Sequence, residues 1–300
     1  MRIVLVIATL ALLVPAAAAS PTGTVSRGSV QVDGLTRTYR AYVPTRPKKP
    51  APVVLVFHGG FGTGARVASQ TGFDAEAERR GFIAVYPDGI GRAWNAGPCC
   101  GLPARVDLDD IAFVSRLLDK LERQYAIDKR RIFATGISNG GLISYRVACE
   151  LSNRIAAAAP VATTLVSSCS PKTPVSILHI HGLDDQNIPF EGGQGTRGAV
   201  NLEWPPAKQG IDAWRRLDGL SPRWQDHRLG RGYDDVVDAV PTLDGGAAGD
   251  DRRRRPHLAQ RTAVRRQRRD RALLRGPSAA LDFRDETLGL VVAPALQLVG

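Results

Sequence analysis

The sequence predicts an α/β fold, a doubly wound and mostly parallel β-sheet with helices on both faces. Short apolar runs alternate along the chain with segments of amphipathic helical periodicity. Most of these runs are continuously apolar, which is typical of parallel strands covered on both faces. Turns rich in Gly and His follow several runs, and in such sheets the functional residues lie in loops at the carboxyl ends of strands.

Each predicted element rests on a local pattern. The alternating segment Thr38–Val43 is predicted as an edge strand. Four continuous apolar runs are predicted as buried strands, namely Pro52–Phe57, Gly81–Tyr86, Arg131–Thr135 and Val175–Ile180. Helical spacing of apolar residues predicts a helix over 111–121 and another over 142–150, and a shorter helix is predicted at 73–80.

Charge is distributed unevenly along the 300 residues. The net charge is +11, and residues 251–276, with eleven Arg and two Asp, supply nine of those charges. The remainder of the chain is nearly neutral, which excludes a uniformly basic nucleic-acid-binding protein. The four cysteines show no pair of CxxC spacings, so neither a zinc site nor any other metal or cofactor is predicted.

The N-terminus has the pattern of a secretory signal peptide. One positive charge at Arg2 precedes an apolar stretch from Ile3 to Val14, and a run of alanines ending at Ala19 follows. Cleavage near Ala19 would export the chain, with no membrane anchor after the signal is removed. Export places the cysteines in an oxidising compartment, and all three pairings of four cysteines stay open.

Residues 136–140 have the spacing Gly-x-Ser-x-Gly directly after the predicted strand Arg131–Thr135 and before a helical segment. A serine on such a strand-to-helix turn takes a strained conformation that small neighbours permit. Ser138 is therefore the candidate nucleophile. The backbone N–H of Asn139 is one candidate donor to an oxyanion. The second is the N–H of Gly60 or Phe61, after the His-Gly-Gly turn.

The acid member is predicted in the loop after the strand Val175–Ile180. Two adjacent carboxylates, Asp184 and Asp185, lie there, and Asp185 is the predicted partner of a histidine. The order of serine before aspartate is that of the α/β-hydrolases. Trp94 and Phe190 are the candidate substrate contacts, with simple packing as the alternative for both.

Four separated motifs resemble the polyhydroxybutyrate depolymerase and feruloyl esterase-like family of secreted α/β-hydrolases. They are the Gly-Ile-Ser-Asn-Gly-Gly elbow at 136–141, His-Gly-Gly at 58–60, the segments 94–101 and 109–114, and the stretch 181–190. The resemblance covers roughly residues 25 to 220. It implies an α/β-hydrolase fold, Ser138 as nucleophile and Asp185 as the acid. It also implies hydrolysis of a small or oligomeric ester, either a hydroxyalkanoate oligomer or polyester, or a feruloyl or other acyl ester of polysaccharide.

The chain departs from this family after about residue 224. The family carries its general base in a Gly-Gly-x-His-x-Trp-Pro box near the C-terminus, and this sequence has no such box. Only His227 and His257 follow Asp185 in the required order, and His257 is the candidate base. A second hypothesis is therefore an exported α/β-hydrolase-like binding protein that lacks its base and is catalytically impaired.

The composition of this region suggests a shift of reading frame between about Leu217 and Arg252. Arg, Ala, Pro and Gly have GC-rich codons, and a back-translation of residues 254–261 read one nucleotide further on gives Gly-Ala-His-Thr-Trp-Pro-Ser. Sequencing the gene across this region tests the hypothesis.

The chain thus divides into a signal peptide at 1–19, an α/β-hydrolase domain at 20–222 and an Arg-rich region at 223–300 that is predicted to be poorly ordered or frameshifted. A third hypothesis makes residues 251–276 an anion-binding tail. Export and the lack of interleaved aromatic residues argue against nucleic acid as its partner.

Overall fold

The computed structural model describes residues 21–198 and 200–217, and the backbone of 227–228 and 235–240. The predicted signal peptide lies outside these residues. The elements follow in the order β1 (Thr24–Val32), β2 (Leu35–Val43), β3 (Ala51–Phe57), α1 (Gly64–Thr71), α2 (Phe73–Arg80), β4 (Ile83–Pro87), a 3₁₀ turn (Ile90–Arg92), α3 (Gly101–Arg105), α4 (Asp110–Gln124), β5 (Ile127–Ile137), α5 (Asn139–Glu150), β6 (Ala157–Val161), β7 (Ser176–Gly182), β8 (Gly193–Gln194), β9 (Glu203–Trp204), α6 (Ala207–Leu217), β10 (His227–Arg228) and β11 (Asp235–Val240).

The main sheet has the strand order β1-β2-β4-β3-β5-β6-β7-β11-β10. The five strands from β4 to β7 in this order are parallel, and antiparallel pairs flank them on both sides. The predicted mostly parallel sheet is therefore confirmed. The predicted edge position of 38–43 is wrong, because β1 pairs with β2 along its whole length and covers it.

The central strands divide their side chains between two helical layers. In β3, Val53, Leu55 and Phe57 pack in the core cluster that contains apolar residues of α4 and α5. The alternate residues Val54 and Val56 pack in the cluster that contains residues of α1 and α2. Helices therefore cover both faces, as predicted, and the continuous apolar runs arise because each face of each strand is buried.

A buried ion pair lies beneath the start of α4. The Asp110 carboxylate is 2.5 Å from the Arg37 guanidinium, and both side chains are almost fully buried. The second oxygen of Asp110 accepts a hydrogen bond from the Asn95 N–H at 2.7 Å. Burial raises the pKa of Asp110, and the attraction of Arg37 opposes that rise. The pair thus joins β2, α4 and the segment around Asn95.

The cysteines form two disulfides, a choice that the sequence left open. Cys149 at the end of α5 pairs with Cys169, and the adjacent Cys99 and Cys100 pair with each other. The first disulfide ties the helix that follows Ser138 to the segment that leads into β7.

Two strands lie beyond residue 222, where the predicted hydrolase domain ends. β11 pairs antiparallel with β7, and β10 pairs with β11, so both extend the main sheet. The division at 222 and the poor order of 223–300 stay predictions, since most of that region lies outside the described residues. None of the helices described here is long and apolar enough to span a membrane.

Candidate active site

Ser138 occupies the sharp turn between β5 and α5. Its backbone angles are φ 55° and ψ −121°, a conformation that residues other than glycine rarely adopt. The Ser138 N–H donates to the Val161 carbonyl at 2.9 Å, and its own carbonyl accepts from the Leu142 N–H at 2.9 Å. These bonds hold the strained turn at the carboxyl end of a central strand.

Close contact with β3 explains why small residues flank this serine. A Cβ on Gly140 would lie 2.3 Å from the Phe57 carbonyl oxygen, and one on Gly136 would lie 2.6 Å from the same oxygen. Neither distance is possible, so a side chain at either position would push β3 away from the turn. The Gly-x-Ser-x-Gly spacing is thus a packing requirement of this site.

The two candidate oxyanion donors differ in their availability. The N–H of Asn139 belongs to the first turn of α5, where backbone N–H groups have no partner within the helix. The Phe61 N–H already donates to the Arg92 carbonyl at 2.8 Å, which corrects its prediction as the second donor. Gly60 remains the candidate, because it lines the large cavity beside Ser138 and a Cβ there would meet open space.

His58 fixes the loop that carries Gly60. Its Nε2 accepts from the Gly89 N–H at 3.0 Å, so its Nδ1 carries the proton and donates to the Gly59 carbonyl at 2.8 Å. Burial lowers the pKa of His58, which keeps the ring neutral. This histidine therefore has a structural role in shaping the turn.

Trp94 lines neither of the cavities that contain Ser138, so the structure does not support its prediction as a binding residue. The side chain is fully buried, and its Nε1–H donates to the His58 carbonyl at 2.9 Å. Its backbone instead pairs twice with the Asn139 side chain: the Trp94 N–H donates to Oδ1 at 2.7 Å, and Nδ2 donates to the Trp94 carbonyl at 3.0 Å. Asn139 thereby fastens the start of α5 to the segment beneath it.

Phe190 is also buried, and the structure does not support the prediction that it contacts substrate. Its ring meets His181 edge-on at 5.5 Å between centroids and packs in a small cluster with Ala207. It lines neither of the cavities that contain Ser138. An aromatic residue near a site motif packs as readily as it binds, and the sequence alone does not distinguish the two.

Asp185 lies with Ser138 on the wall of one cavity of about 400 Å³, which we call the small cavity. Its Oδ1 accepts from the N–H groups of Asn187 at 2.7 Å and Ile188 at 3.1 Å. Its Oδ2 lies 3.6 Å from Nε2 of His181. The backbone therefore fixes the orientation of this carboxylate.

The candidate base His257 lies outside the described residues, and of His227 the structure describes only the backbone. The histidines whose side chains are described are His58, His179 and His181, and none of them lines the small cavity. The structure therefore brings together the predicted nucleophile and acid, and the base stays a prediction.

A second cavity of about 650 Å³, the large cavity, also has Ser138 in its wall. Leu142, Ile188 and Trp204 contribute apolar surface, and the ring of Phe61 is 68% exposed beside them. The sequence pattern predicts no binding role for these three residues. No motif marks them, because a residue becomes part of this wall only when distant loops fold together.

A buried chain of hydrogen bonds connects α5 to the loop that carries Asp185. The Ile188 carbonyl can only accept, so Nε2–H of His181 donates to it at 2.8 Å. Nδ1 of His181 is then an acceptor, so Nε2–H of His179 donates to it at 3.1 Å, and the Tyr145 hydroxyl donates to Nδ1 of His179 at 2.8 Å. In this assignment each ring carries one hydrogen, which agrees with burial lowering the pKa of both histidines.

Acid is expected to destabilise the fold through its buried histidines. Burial lowers the pKa of His58, His179 and His181 below the ordinary value of 6.5, and for His179 the neighbouring His181 adds to this. Above pH 6.5 the folded and unfolded forms are both neutral. Below it only the unfolded chain binds protons, so the free energy of unfolding falls by up to about 1.4 kcal/mol per pH unit for each histidine.

Urea unfolding at about pH 7.5 and about pH 5.5 measures this effect. Both values lie above the range in which ordinary carboxylates titrate, so the difference reports mainly the histidines. Equal midpoints and slopes at the two pH values would contradict the assignment of three neutral, buried rings.

Among the described residues, no cluster of three His, Cys, Asp or Glu side chains is arranged to hold a metal ion.

Comparison with known proteins finds similarity over part of the chain. The profile of the X-Pro dipeptidyl-peptidase (S15) family matches residues 33–170. Feruloyl esterase B of Piromyces equi is 31% identical over 185 residues, which are 58% of this chain and 33% of that protein. Probable feruloyl esterase C of Aspergillus niger is 27% identical over 210 residues, 65% of this chain and 74% of that protein.

Solved structures show a weaker likeness. The structure of a thermostable esterase matches with a TM-score of 0.44 and 21% identity, over 64% of this chain and 60% of that one. This chain spans about a third of the length of feruloyl esterase B, so the relatives extend well beyond the shared part. The chain thus combines a mostly parallel sheet and a strained serine between β5 and α5 with similarity to feruloyl esterases over part of its length.

Proposed function

We propose that the protein is an exported serine esterase that hydrolyses carboxylic esters through an acyl-enzyme. The observation that carries this proposal is the strained backbone of Ser138, which exposes its hydroxyl to two cavities beside the first turn of α5. Residues with a side chain that are held in such a strained backbone conformation cluster at functional sites. A nucleophilic serine exposed at a cavity accounts for the strain at Ser138. The names of the relatives support ester substrates.

The reaction has two halves that share one base. The Ser138 Oγ bonds to the ester carbonyl carbon while its proton passes to the base, and the alcohol leaves with that proton. Water then attacks the acyl-enzyme, loses a proton to the same base and releases the carboxylic acid, and the proton returns to Ser138. The N–H groups of Asn139 and Gly60 are the proposed donors to the negative oxygen that forms in each half.

The base is proposed to enter the small cavity, between Ser138 and Asp185. A volume of about 400 Å³ is ample for an imidazole ring, and the fixed Asp185 carboxylate would hold its tautomer and stabilise its positive charge. His257 is the candidate from the sequence. The alcohol would leave through the small cavity, because the base that protonates it lies there.

The substrate is proposed to be a small or oligomeric ester, with hydroxyalkanoate oligomers or polyester and feruloyl or other acyl esters of polysaccharide as the candidate classes. The large cavity, with Phe61, Leu142 and Trp204 in its wall, has room for an acyl group of this size. Export is supported by the signal pattern at 1–19 and by the two disulfides, which persist in oxidising compartments.

Labelling by a fluorophosphonate tests the nucleophile. We expect one label on each folded chain, located at Ser138 by peptide mass spectrometry and absent from Ser138→Ala. Ser69→Ala is the matched control, because Ser69 is exposed on α1 and donates only to the Arg66 carbonyl. A folded wild-type chain that takes no label, or a Ser138→Ala variant that labels equally, would exclude the esterase proposal.

A further inference from the structure

Two arginines line the large cavity, and Arg197 also lines the small cavity, where Asp184 and Asp185 lie. Arg92 and Arg197 are both exposed, and none of the described residues that line the large cavity is Asp or Glu. Within the described ranges 21–198 and 200–217, neither guanidinium lies within ion-pairing distance of a carboxylate, although nine other Arg and Lys side chains do. The described residues that line the large cavity therefore carry two positive charges and no negative one, and the carboxylates of Asp184 and Asp185 belong to the small cavity.

The backbone holds Arg92 at the rim of the cavity. It closes the 3₁₀ turn after β4 with φ 59°, a left-handed conformation that costs a residue with a side chain about 1 kcal/mol or more. Its carbonyl accepts the Phe61 N–H at 2.8 Å. Asn or Gly would adopt this left-handed conformation more easily than Arg. The requirements of the turn therefore do not explain why an arginine occupies position 92.

Arg197 is fixed from the opposite side. Its N–H donates to the Gln186 carbonyl at 3.0 Å, and two residues earlier Gly195 lies so close to Asn187 that a Cβ would be 2.2 Å from its carbonyl oxygen. The segment of Arg197 is thus packed against the loop that carries Asp185. Arg197 lines the large cavity and the small cavity, with Ser138 on the wall of both.

We propose that the large cavity binds the acyl part of an ester whose acyl chain ends in a free carboxylate. This inference rests on the proposed esterase function, and it names the substrate class of that site. The leaving alcohol belongs beside the base in the small cavity, so the acyl chain extends into the large one. Its apolar wall would contact the methylene groups of the chain, and Arg92 and Arg197 would bind the terminal carboxylate.

Binding to the full-length Ser138→Ala variant tests the proposal without turnover. The ligands are the monomethyl esters of succinic, glutaric and adipic acid, each compared with its half-amide, which has nearly the same shape and no charge. We expect at least one acid to bind on the order of 10-fold more tightly than its amide by calorimetry, and added salt to reduce that preference.

Arg92→Gln and Arg197→Gln are each expected to remove most of this preference while the amide binds as before. Arg116→Gln is the matched control, because Arg116 is an exposed cation on α4 away from both cavities. Equal binding of acid and amide in all three pairs, no binding of either, or a preference that persists in both cavity variants would each overturn the proposal.

The result is separable from the esterase proposal itself. Failure of the fluorophosphonate to label Ser138 would remove the catalytic function whatever binds in the cavity. Labelling together with equal binding of acid and amide would leave the esterase intact and remove only the carboxylate-bearing substrate class.

Discussion

Asp185→Asn is expected to lower kcat for p-nitrophenyl butyrate on the order of 10⁴-fold, because an amide in place of a triad carboxylate leaves the base in the wrong tautomer. The substitution should not disturb the loop. The Asn oxygen can still accept the N–H groups of Asn187 and Ile188 that Oδ1 accepts in the native chain. Steady-state hydrolysis of the purified variant measures the effect.

Asp184→Asn is the matched control for this prediction. Asp184 is the preceding residue and lines the same cavity, so a loss caused only by negative charge near Ser138 would appear in both variants. We expect a change of a few-fold at most. Ser138→Ala combined with Asp185→Asn should be no slower than Ser138→Ala alone, since residues of one catalytic unit are not additive. Similar losses in the two single variants would remove Asp185 from the triad.

Asp110→Ala is expected to lower the free energy of unfolding by about 3–5 kcal/mol, the usual cost of removing one partner of a buried ion pair. The Arg37 guanidinium would stay buried without its carboxylate, and the Asn95 N–H would lose its acceptor. Arg37 also lies over the ring of Phe113 at 4.2 Å, so it cannot turn to solvent without breaking that packing. Urea unfolding followed by circular dichroism measures the change.

The neighbouring Asp109 provides the comparison. Its side chain caps α4 by accepting the Ala112 N–H at 2.7 Å in an exposed position, so Asp109→Ala should cost only about 1 kcal/mol. Losses of the same size in the two variants would show that Asp110 contributes no more than a helix cap.

The order of the central elements could be predicted because the apolar pattern is strong there. The strands at 52–57, 81–86, 131–135 and 175–180 and the helices at 73–80, 111–121 and 142–150 all lie within or overlap observed elements. β6 was missed, since Ala157–Val161 is mostly alanine and lacks the β-branched residues that mark a strand. β1 was missed because only its last residue, Val32, is fully buried and its apolar pattern is weak.

The chemistry of the site was predictable only where a motif fixes the backbone. Gly136 and Gly140 marked Ser138 because the turn admits no larger residue at these positions. Aromatic residues carry no such signal, and Trp94 and Phe190 were assigned to substrate although both are buried. The cluster of Tyr145, His179 and His181 joins α5 to β7, and sequence spacing does not reveal such contacts between distant segments.

The division of β3 between two helical layers makes its length more critical than its composition. Exchanging one branched apolar residue for another within Ala51–Phe57 would disturb the packing on one face only. Deleting a single residue would rotate every later side chain of the strand to the opposite layer and would displace the turn that presents Gly60. Relatives of this protein should therefore differ in the identity of the apolar residues in β3, whereas insertions and deletions within this strand should be rare.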